Sequence, residues 1–211
     1  MAKTNYVITI SRQFGSGGRL IGKKLAESLE IPFYDKELIT MAAQQSGYSK
    51  EIFEKADERA TNSLLYTLSM NSYLLHGMTG MAELPLNDKV FLIQSEIIRK
   101  VASEGPCVIV GRCADYVLKE HPRCLNFYIY ADLQSRVERA TTVYDMEKEH
   151  AADNIQKLDK KRANYYNFYS NLRWGLAENY DLCVNSASIG VDSTVEVLKS
   201  FIERKENVSS K

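Results

Sequence analysis

Residues 6–26 read Tyr6-Val-Ile-Thr-Ile-Ser-Arg-Gln-Phe-Gly-Ser-Gly-Gly-Arg-Leu-Ile-Gly-Lys-Lys-Leu-Ala26. The stretch begins with an apolar, β-branched run typical of a buried strand, and it ends with apolar residues at helical spacing. Between these parts lie Gly15, Ser16, Gly17 and Gly18. Glycine permits positive φ and close approach to a ligand, and the amides at a helix start attract anions. The stretch predicts a phosphate-binding loop; the alternative is a tight turn whose glycines serve packing only.

This loop departs from the standard P-loop pattern, in which Lys and then Ser or Thr follow the last glycine. With Gly17 as that glycine, Gly18 holds the lysine position, and Arg19, or Leu20 with one inserted residue, holds the hydroxyl position. A literal G-x-x-x-x-G-K at residues 17–23 lies inside the predicted helix and lacks the hydroxyl, so we reject that register. The cations nearby are Arg12, Arg19, Lys23 and Lys24. Arg19, beside the turn, is the predicted substitute.

Length, charge and composition narrow the class of protein. The 211 residues suit one domain, and the 27 basic residues balance the 27 acidic ones. Without a net charge we expect no nucleic-acid partner and no anionic membrane surface as a partner. The chain begins without a long apolar stretch, which predicts neither a signal peptide nor a membrane span, and hence a cytoplasmic protein. The four cysteines and three histidines lack metal-ligand spacing, so we expect no metal ligands among them and read the cysteines as buried free thiols.

Strand and helix patterns alternate along the chain. Further strands are predicted at 31–35, 107–110, 125–130 and 182–184, and helices at 36–46, 87–103, 133–143, 147–174 and 193–203. Such alternation implies right-handed crossovers and a mostly parallel sheet covered on both faces. We therefore predict a five-stranded α/β fold in a single domain over residues 1–205, followed by a flexible polar tail at 206–211.

Ligands of open α/β sheets bind beyond the carboxyl ends of the strands. The residues that follow predicted strands are Ser11, Arg12, Asp35, Arg112 and Asp132. Arg112 stands out because Gly111 precedes it and because a guanidinium binds phosphate through two hydrogen bonds. The alternative role of Arg112 is a structural ion pair.

Charged and aromatic groups on the later helices add candidates. Arg136 and Arg139 share one helix face, as do Asp159 and Arg162, because each pair is three residues apart. Both pairs could face a phosphate, or they could form a solvated surface. The aromatic run at 164–169 could stack a base, although aromatic stripes more often pack in a core.

The chain resembles the cytidylate kinase-like family of P-loop proteins over almost its whole length. The resemblance rests on Ile10-Ser-Arg-Gln-Phe-Gly-Ser-Gly-Gly18, Pro32-Phe-Tyr-Asp-Lys-Glu-Leu38, Val108-Ile-Val-Gly-Arg112 and Asp159-Lys-Lys-Arg-Ala-Asn-Tyr-Tyr166. It implies a three-layer P-loop NTPase fold with a helical acceptor-binding insertion at 36–86 and a lid at 140–160. It also implies transfer of the γ-phosphoryl group of ATP, with Mg²⁺, to a small nucleotide such as CMP.

The resemblance also implies roles for individual residues. The donor phosphates would be bound by Gly15, Ser16, Gly17 and Gly18, with Arg19 assisting. The acceptor would be held by Arg112, Asp159 and Arg162. Charge would be neutralised by Arg136 and Arg139, which resemble the family's lid arginines. Phosphates and water would supply most of the Mg²⁺ ligands. Two alternatives stay open: a kinase for another phosphorylated acceptor, because Cys113 replaces the Asp of the family's Gly-Arg-Asp motif, and a non-catalytic nucleotide-binding regulatory module that tolerates the missing lysine.

Overall fold

The computed structural model describes residues 4–47, 49, 51 and 84–209. Its strands are β1 (Val7–Arg12), β2 (Phe33–Tyr34), β3 (Val108–Val110), β4 (Cys124–Tyr130) and β5 (Leu182–Asn185). Its helices are α1 (Gly18–Leu29), α2 (Glu37–Ser46), α3 (Leu86–Glu104), α4 (Ala114–Val117), α5 (Leu133–Val143), α6 (Ala151–Ser170) and α7 (Ser186–Ser209). Most of the predicted insertion at 36–86 lies outside the described residues, which include its first helix, α2, and the start of α3.

The five strands form one parallel sheet in the order β2-β3-β1-β4-β5. Side chains of a strand alternate between the two faces. On β1, Val7 packs in one core with α2, α3 and α6, whereas Ile8 and Ile10 pack in the other with α1 and α7. Both faces of the sheet are therefore covered, which explains why its strands are rich in apolar residues. The predicted three-layer α/β fold with a five-stranded parallel sheet is confirmed.

The last helix differs from the prediction at both ends. It begins at Ser186, bends at Gly190, where φ is 80°, and continues to Ser209. The sequence predicts a flexible tail from residue 206, but Glu206 is anchored: its Oε1 accepts hydrogen bonds from Thr4 Oγ1 at 2.8 Å and from the Asn5 backbone N–H at 2.6 Å. Arg123 Nη1 also donates to this carboxylate at 3.3 Å. These long-range contacts hold residues in the helix that look polar and unattached in the sequence.

The aromatic run on α6 belongs to the core. Tyr165, Tyr166 and Tyr169 are buried, and the Tyr169 ring stacks on Phe91 with the centroids 4.0 Å apart. The Tyr169 hydroxyl donates to Asp88 Oδ1 at 2.8 Å. The structure thus places these rings in packing contacts between α6 and α3.

Among the described residues, no helix has both the length and the apolar character that crossing a membrane requires. The four cysteines are free thiols; Cys107 and Cys113 are buried, whereas Cys124 and Cys183 are half-buried. Burial raises the pKa of the Cys107 thiol to about 12, so this thiol stays protonated at neutral pH.

Asp115, on the short helix α4, is a buried carboxyl group that accepts a hydrogen bond from the Tyr166 hydroxyl at 2.7 Å. Burial raises the pKa of Asp115 to about 6, against the opposite effect of the bond from Tyr166. Compared with the unfolded chain, the folded protein therefore favours the protonated form of this carboxyl.

We expect the free energy of unfolding to fall as the pH rises, because the pKa of Asp115 is higher in the folded protein than the ordinary value of 3.8. This stabilisation is fully present below the unfolded pKa and is lost as the pH passes through the folded one. A shift from 3.8 to about 6 corresponds to about 3 kcal/mol. Asp115→Asn should abolish this part of the pH dependence. Urea unfolding at about pH 4 and about pH 7 measures it, and an unchanged difference between the two pH values in the variant contradicts the assignment.

Candidate functional site

The glycine-rich loop joins β1 to α1. Gly15 and Gly17 have φ of 77° and 80°, in the left-handed region that favours glycine. Ser16 is buried, and its backbone N–H and its Oγ both donate to the Gln13 carbonyl, at 3.3 and 2.8 Å. Because α1 begins at Gly18, the amides of its first turn lie at the end of the loop. This is the strand–loop–helix geometry that binds anions in other proteins.

Close approach also requires glycine in this loop. A Cβ atom on Gly15 would lie 2.7 Å from the Arg136 carbonyl oxygen, and one on Gly17 would lie 2.8 Å from Arg139 Nη1. The two glycines therefore bring the loop against α5, the helix that carries both arginines.

Three arginines hold the loop by its carbonyl groups. The bonds run from Arg162 Nη1 to the Arg12 oxygen at 3.3 Å, from Arg136 Nη1 to the Phe14 oxygen at 3.4 Å, and from Arg139 Nη1 to the Gly15 oxygen at 3.1 Å. In a trans peptide the C=O and the following N–H point in opposite directions. The N–H groups of these peptides consequently point away from the arginines.

Asp159 fastens the same loop from α6. Its Oδ1 accepts a hydrogen bond from the Phe14 backbone N–H at 2.7 Å, and its Oδ2 forms an ion pair with Arg136. Arg162 lies one turn further along α6, and its guanidinium is 5.6 Å from the centre of the Phe14 ring. Asp159 therefore stabilises the conformation of the loop, while Arg162 lines the cavity beside it.

A second charged group follows β2 and β3. Asp35 accepts hydrogen bonds from Arg19 Nε at 2.5 Å and from Arg112 Nη1 at 3.4 Å. The Arg112 side chain is only 2% exposed, and its Nη1 also donates to the Val110 carbonyl at 3.3 Å. Burial raises the pKa of Asp35, but the bond from Arg19 and the charges of Arg112 and Arg12 outweigh burial and hold this pKa below its ordinary value. Asp35 is thus a charged anchor for two arginines.

The backbone that presents Arg112 is strained. Gly111, Arg112 and Cys113 have φ of 77°, 56° and 54°, so three successive residues are left-handed. A non-glycine residue in this region costs about 1–3 kcal/mol. Such strain concentrates at functional sites, and here it turns the Arg112 side chain inward beside Asp35.

A cavity of about 660 Å³ lies between the glycine loop and this charged group. Among the described residues, its lining includes one carboxylate, Asp35, and the cationic side chains of Arg12, Arg19, Lys36, Arg112 and Arg162. The volume is that of a typical small-molecule site. The excess of positive charge suits a ligand with several phosphate groups.

The predicted site residues divide into two sets. Gly15, Gly17, Gly18, Arg19, Arg112 and Arg162 line the cavity, whereas Ser16, Arg136, Arg139 and Asp159 support the loop behind it. Lys36 and Tyr144 also line the cavity, although neither is among the predicted site residues. Lys36 directly follows Asp35 and was readable as a strand-end residue, but nothing in the sequence marks Tyr144, whose ring lies 5.5 Å from that of Phe14.

Comparison with known proteins supports the fold and gives the family. The chain is 26% identical to a cytidylate kinase of Pyrococcus horikoshii over 217 residues, covering 99% of this chain and 94% of the relative. A crystal structure of an uncharacterized protein from Eubacterium ventriosum ATCC 27560 is 28% identical, with a TM-score of 0.68 and coverage of 94% of this chain and 98% of that one.

A gluconokinase from Sinorhizobium meliloti 1021 has a TM-score of 0.59 over 98% of this chain and 97% of its own. At 14% identity this last likeness concerns the fold alone. The model of the cytidylate kinase-like family matches residues 7–188. The chain therefore belongs to the cytidylate kinase-like family.

Proposed function

We propose that this protein transfers the γ-phosphoryl group of ATP to CMP or a related nucleoside monophosphate. The observation that carries the proposal is the cavity itself, which has a glycine loop at one side and the buried Arg112–Asp35–Arg19 group at another. Two separate groups that attract phosphate suit a reaction between two phosphorylated molecules. Membership in the family supports a nucleotide or small-molecule kinase activity.

The glycine loop is the proposed donor side. The amides at the start of α1 and the left-handed turns at Gly15 and Gly17 allow the backbone to surround a phosphate. Because Arg136 and Arg139 hold the loop carbonyls, the loop is organised before the nucleotide arrives. Preorganised donors of this kind stabilise the charge of the transition state without a cost of rearrangement.

Arg112 is the proposed contact to the acceptor phosphate. Its guanidinium is buried and oriented by Asp35, so it loses little freedom when it binds an anion. Arg162 and Lys36 line the same cavity and add positive charge. Arg19, the predicted lysine substitute, is joined to Asp35 and so belongs to this charged group.

In other phosphoryl-transfer enzymes a bound Mg²⁺ neutralises charge on the donor phosphates, and it would supply the same stabilisation here. Among the described residues, no group of three or more His, Cys, Asp or Glu is placed to hold a metal ion. Asp35, the carboxylate of the cavity, already accepts from Arg19 and Arg112. We propose that phosphates and water supply most of the magnesium ligands, which Mg²⁺ commonly accepts.

Residues 140–160 are the proposed lid. They connect α5 to α6 through an exposed segment that includes Tyr144, and Tyr144 lines the cavity. Closure of this segment would exclude water from the phosphates, as lids do in kinases of this kind. Because the proposed reaction consumes ATP, we also propose the cytoplasmic location that the sequence predicts.

A different phosphorylated acceptor is the second candidate. It is favoured by Cys113, which replaces the acid that follows the arginine in the family's motif and whose side chain is buried. A buried thiol offers no carboxylate to a base or sugar. Turnover with each acceptor in turn therefore decides between the two candidates.

The test is an assay of ADP production with ATP, Mg²⁺ and each nucleoside monophosphate in turn, beside calorimetry with ATP. We expect the highest kcat/KM with CMP. Turnover with another acceptor alone supports the second candidate, and ATP binding without turnover supports the regulatory module. If the protein binds no ATP, the proposal is overturned.

A further inference from the structure

Two positions of the glycine loop have exchanged residue types relative to the P-loop pattern. In G-x-x-x-x-G-K-[S/T] the first glycine comes five residues before the last one. With Gly17 as the last glycine, Arg12 holds the first glycine position and Gly18 holds the lysine position. The loop therefore has a cation where the pattern has glycine, and glycine where the pattern has the cation.

The structure brings these two positions into direct contact. A Cβ atom on Gly18 would lie 2.6 Å from Arg12 Cβ, 3.2 Å from Arg12 Cγ and 3.2 Å from Ile129 Cβ. Gly18 is the first residue of α1 and has no positive φ, so its conformation does not require glycine. The contact under 3.0 Å, and so the main reason for glycine at 18, comes from the side chain of Arg12, which fills the space where a lysine side chain would begin.

Arg12 is also placed to reach a phosphate. It is the last residue of β1, at the carboxyl end of the central strand, and its half-buried side chain lines the cavity together with Gly15, Gly17 and Gly18. The Arg12 carbonyl is fixed by Arg162 Nη1. The charge of Arg12 contributes to the lowered pKa of Asp35, where burial acts the other way, so the guanidinium lies near that carboxylate.

The other three candidate cations, Arg19, Lys23 and Lys24, each pair with a carboxylate. Arg19 forms an ion pair with Asp35, and its side chain is 50% exposed. Lys23 pairs with Glu27 at 3.8 Å and Lys24 pairs with Asp192 at 2.5 Å, both outside the cavity lining. Of these four cations, Arg12 is the one whose Cβ and Cγ atoms lie where the side chain of a lysine at position 18 would begin.

We propose that Arg12 binds the donor phosphates in place of the P-loop lysine, and that Gly18 exists to admit its side chain. This inference rests on the proposed function and identifies its phosphate-binding cation. A guanidinium reaching the cavity from β1 takes the place of an ammonium reaching it from α1. Both carry one positive charge, but the guanidinium can donate two parallel hydrogen bonds to a phosphate.

The first test removes the charge of Arg12 and retains the aliphatic start of its side chain. Arg12→Gln should weaken the binding of ATP with Mg²⁺ by about 10- to 100-fold, the range of one charge-assisted hydrogen bond. Arg12→Lys retains the cation but not the planar fork, so it should bind ATP more tightly than Arg12→Gln and less tightly than the unaltered protein. The matched control is Lys23→Ala, which removes an exposed cation of α1 and should leave ATP affinity unchanged. Isothermal calorimetry measures affinity, and thermal unfolding verifies that each variant is folded.

The second test reverses the exchange. Gly18→Lys alone should weaken ATP binding at least about tenfold, because its Cβ meets the Arg12 stem. Arg12→Gly combined with Gly18→Lys restores the G-x-x-x-x-G-K pattern and should bind ATP more tightly than Arg12→Gly alone or Gly18→Lys alone. Such non-additivity is the signature of two positions that share one space.

Each outcome has one meaning. ATP affinity that survives Arg12→Gln, or losses that simply add in the double variant, would overturn the role of Arg12 while leaving the kinase proposal intact. Failure of the unaltered protein to bind ATP would overturn both. Weakening in Arg12→Gln together with recovery in the double variant supports the inference.

Discussion

Arg112→Met is expected to raise the KM for the acceptor nucleotide by about 100-fold or more and to change the KM for ATP little. A hydrogen bond to a charged group contributes about 1.5–3 kcal/mol, and a guanidinium makes two of them to one phosphate. Arg112 is buried and bonded to Asp35, so its guanidinium has a fixed position beside the cavity. Steady-state kinetics with each substrate varied in turn separates the two KM values.

Two further variants make this result specific. Arg112→Lys retains the charge without the planar fork and should recover only part of the affinity for the acceptor. Arg99→Met removes an exposed arginine of α3 and should leave both KM values unchanged. Because the substitution at Arg112 also removes one partner of Asp35, the unfolding transition of each variant must be compared. An acceptor KM that is unaltered in folded Arg112→Met would contradict the assignment.

Asp159→Asn is expected to lower the free energy of unfolding by about 3 kcal/mol, because it leaves the buried Arg136 without its carboxylate partner. The same change weakens the acceptor of the Phe14 N–H, so the glycine loop should also lose its shape. We therefore expect ATP affinity to fall by about tenfold or more. Urea unfolding measures the first effect and calorimetry the second.

Asp153→Asn is the matched control, since it makes the same chemical change on an exposed residue of α6. It should alter the free energy of unfolding by less than about 1 kcal/mol. If both variants lose the same stability, the ion pair between Asp159 and Arg136 has no special part in holding the loop.

The sequence predicts elements whose pattern is local. The helix over residues 133–143 is found at Leu133–Val143, and the strand at 125–130 is extended by one residue to Cys124–Tyr130. Their apolar spacing determines them without help from distant residues. By contrast, the short helix α4 follows a strained turn at Arg112 and Cys113 and has too few residues to show a period. Its position depends on tertiary contacts such as that between Asp115 and Tyr166.

The candidate site shows the same division. The glycine loop and Arg112 follow from strand ends and turn chemistry, which a sequence displays. The sequence also favours Arg19 as the lysine substitute, because Arg19 directly follows the turn. The sequence does not display the ion pair between Arg19 and Asp35, which are 16 residues apart in the chain. Nor does it display the hydrogen bond from Arg136 to the Phe14 carbonyl, whose partners are 122 residues apart. Pairings of this kind are set by the packing of α1, α5 and α6 against the sheet.

The attachment of the last helix to the loop has a consequence for the order of folding. Ser186 Oγ, at the start of α7, donates to the Ser16 carbonyl from 170 positions away, and Glu206 holds Thr4 from 202 positions away. Contacts over such separations form late. A folding intermediate in which α7 has not yet docked thus lacks a finished loop. Nucleotide would then act on folding only after this helix has docked, by stabilising the completed domain.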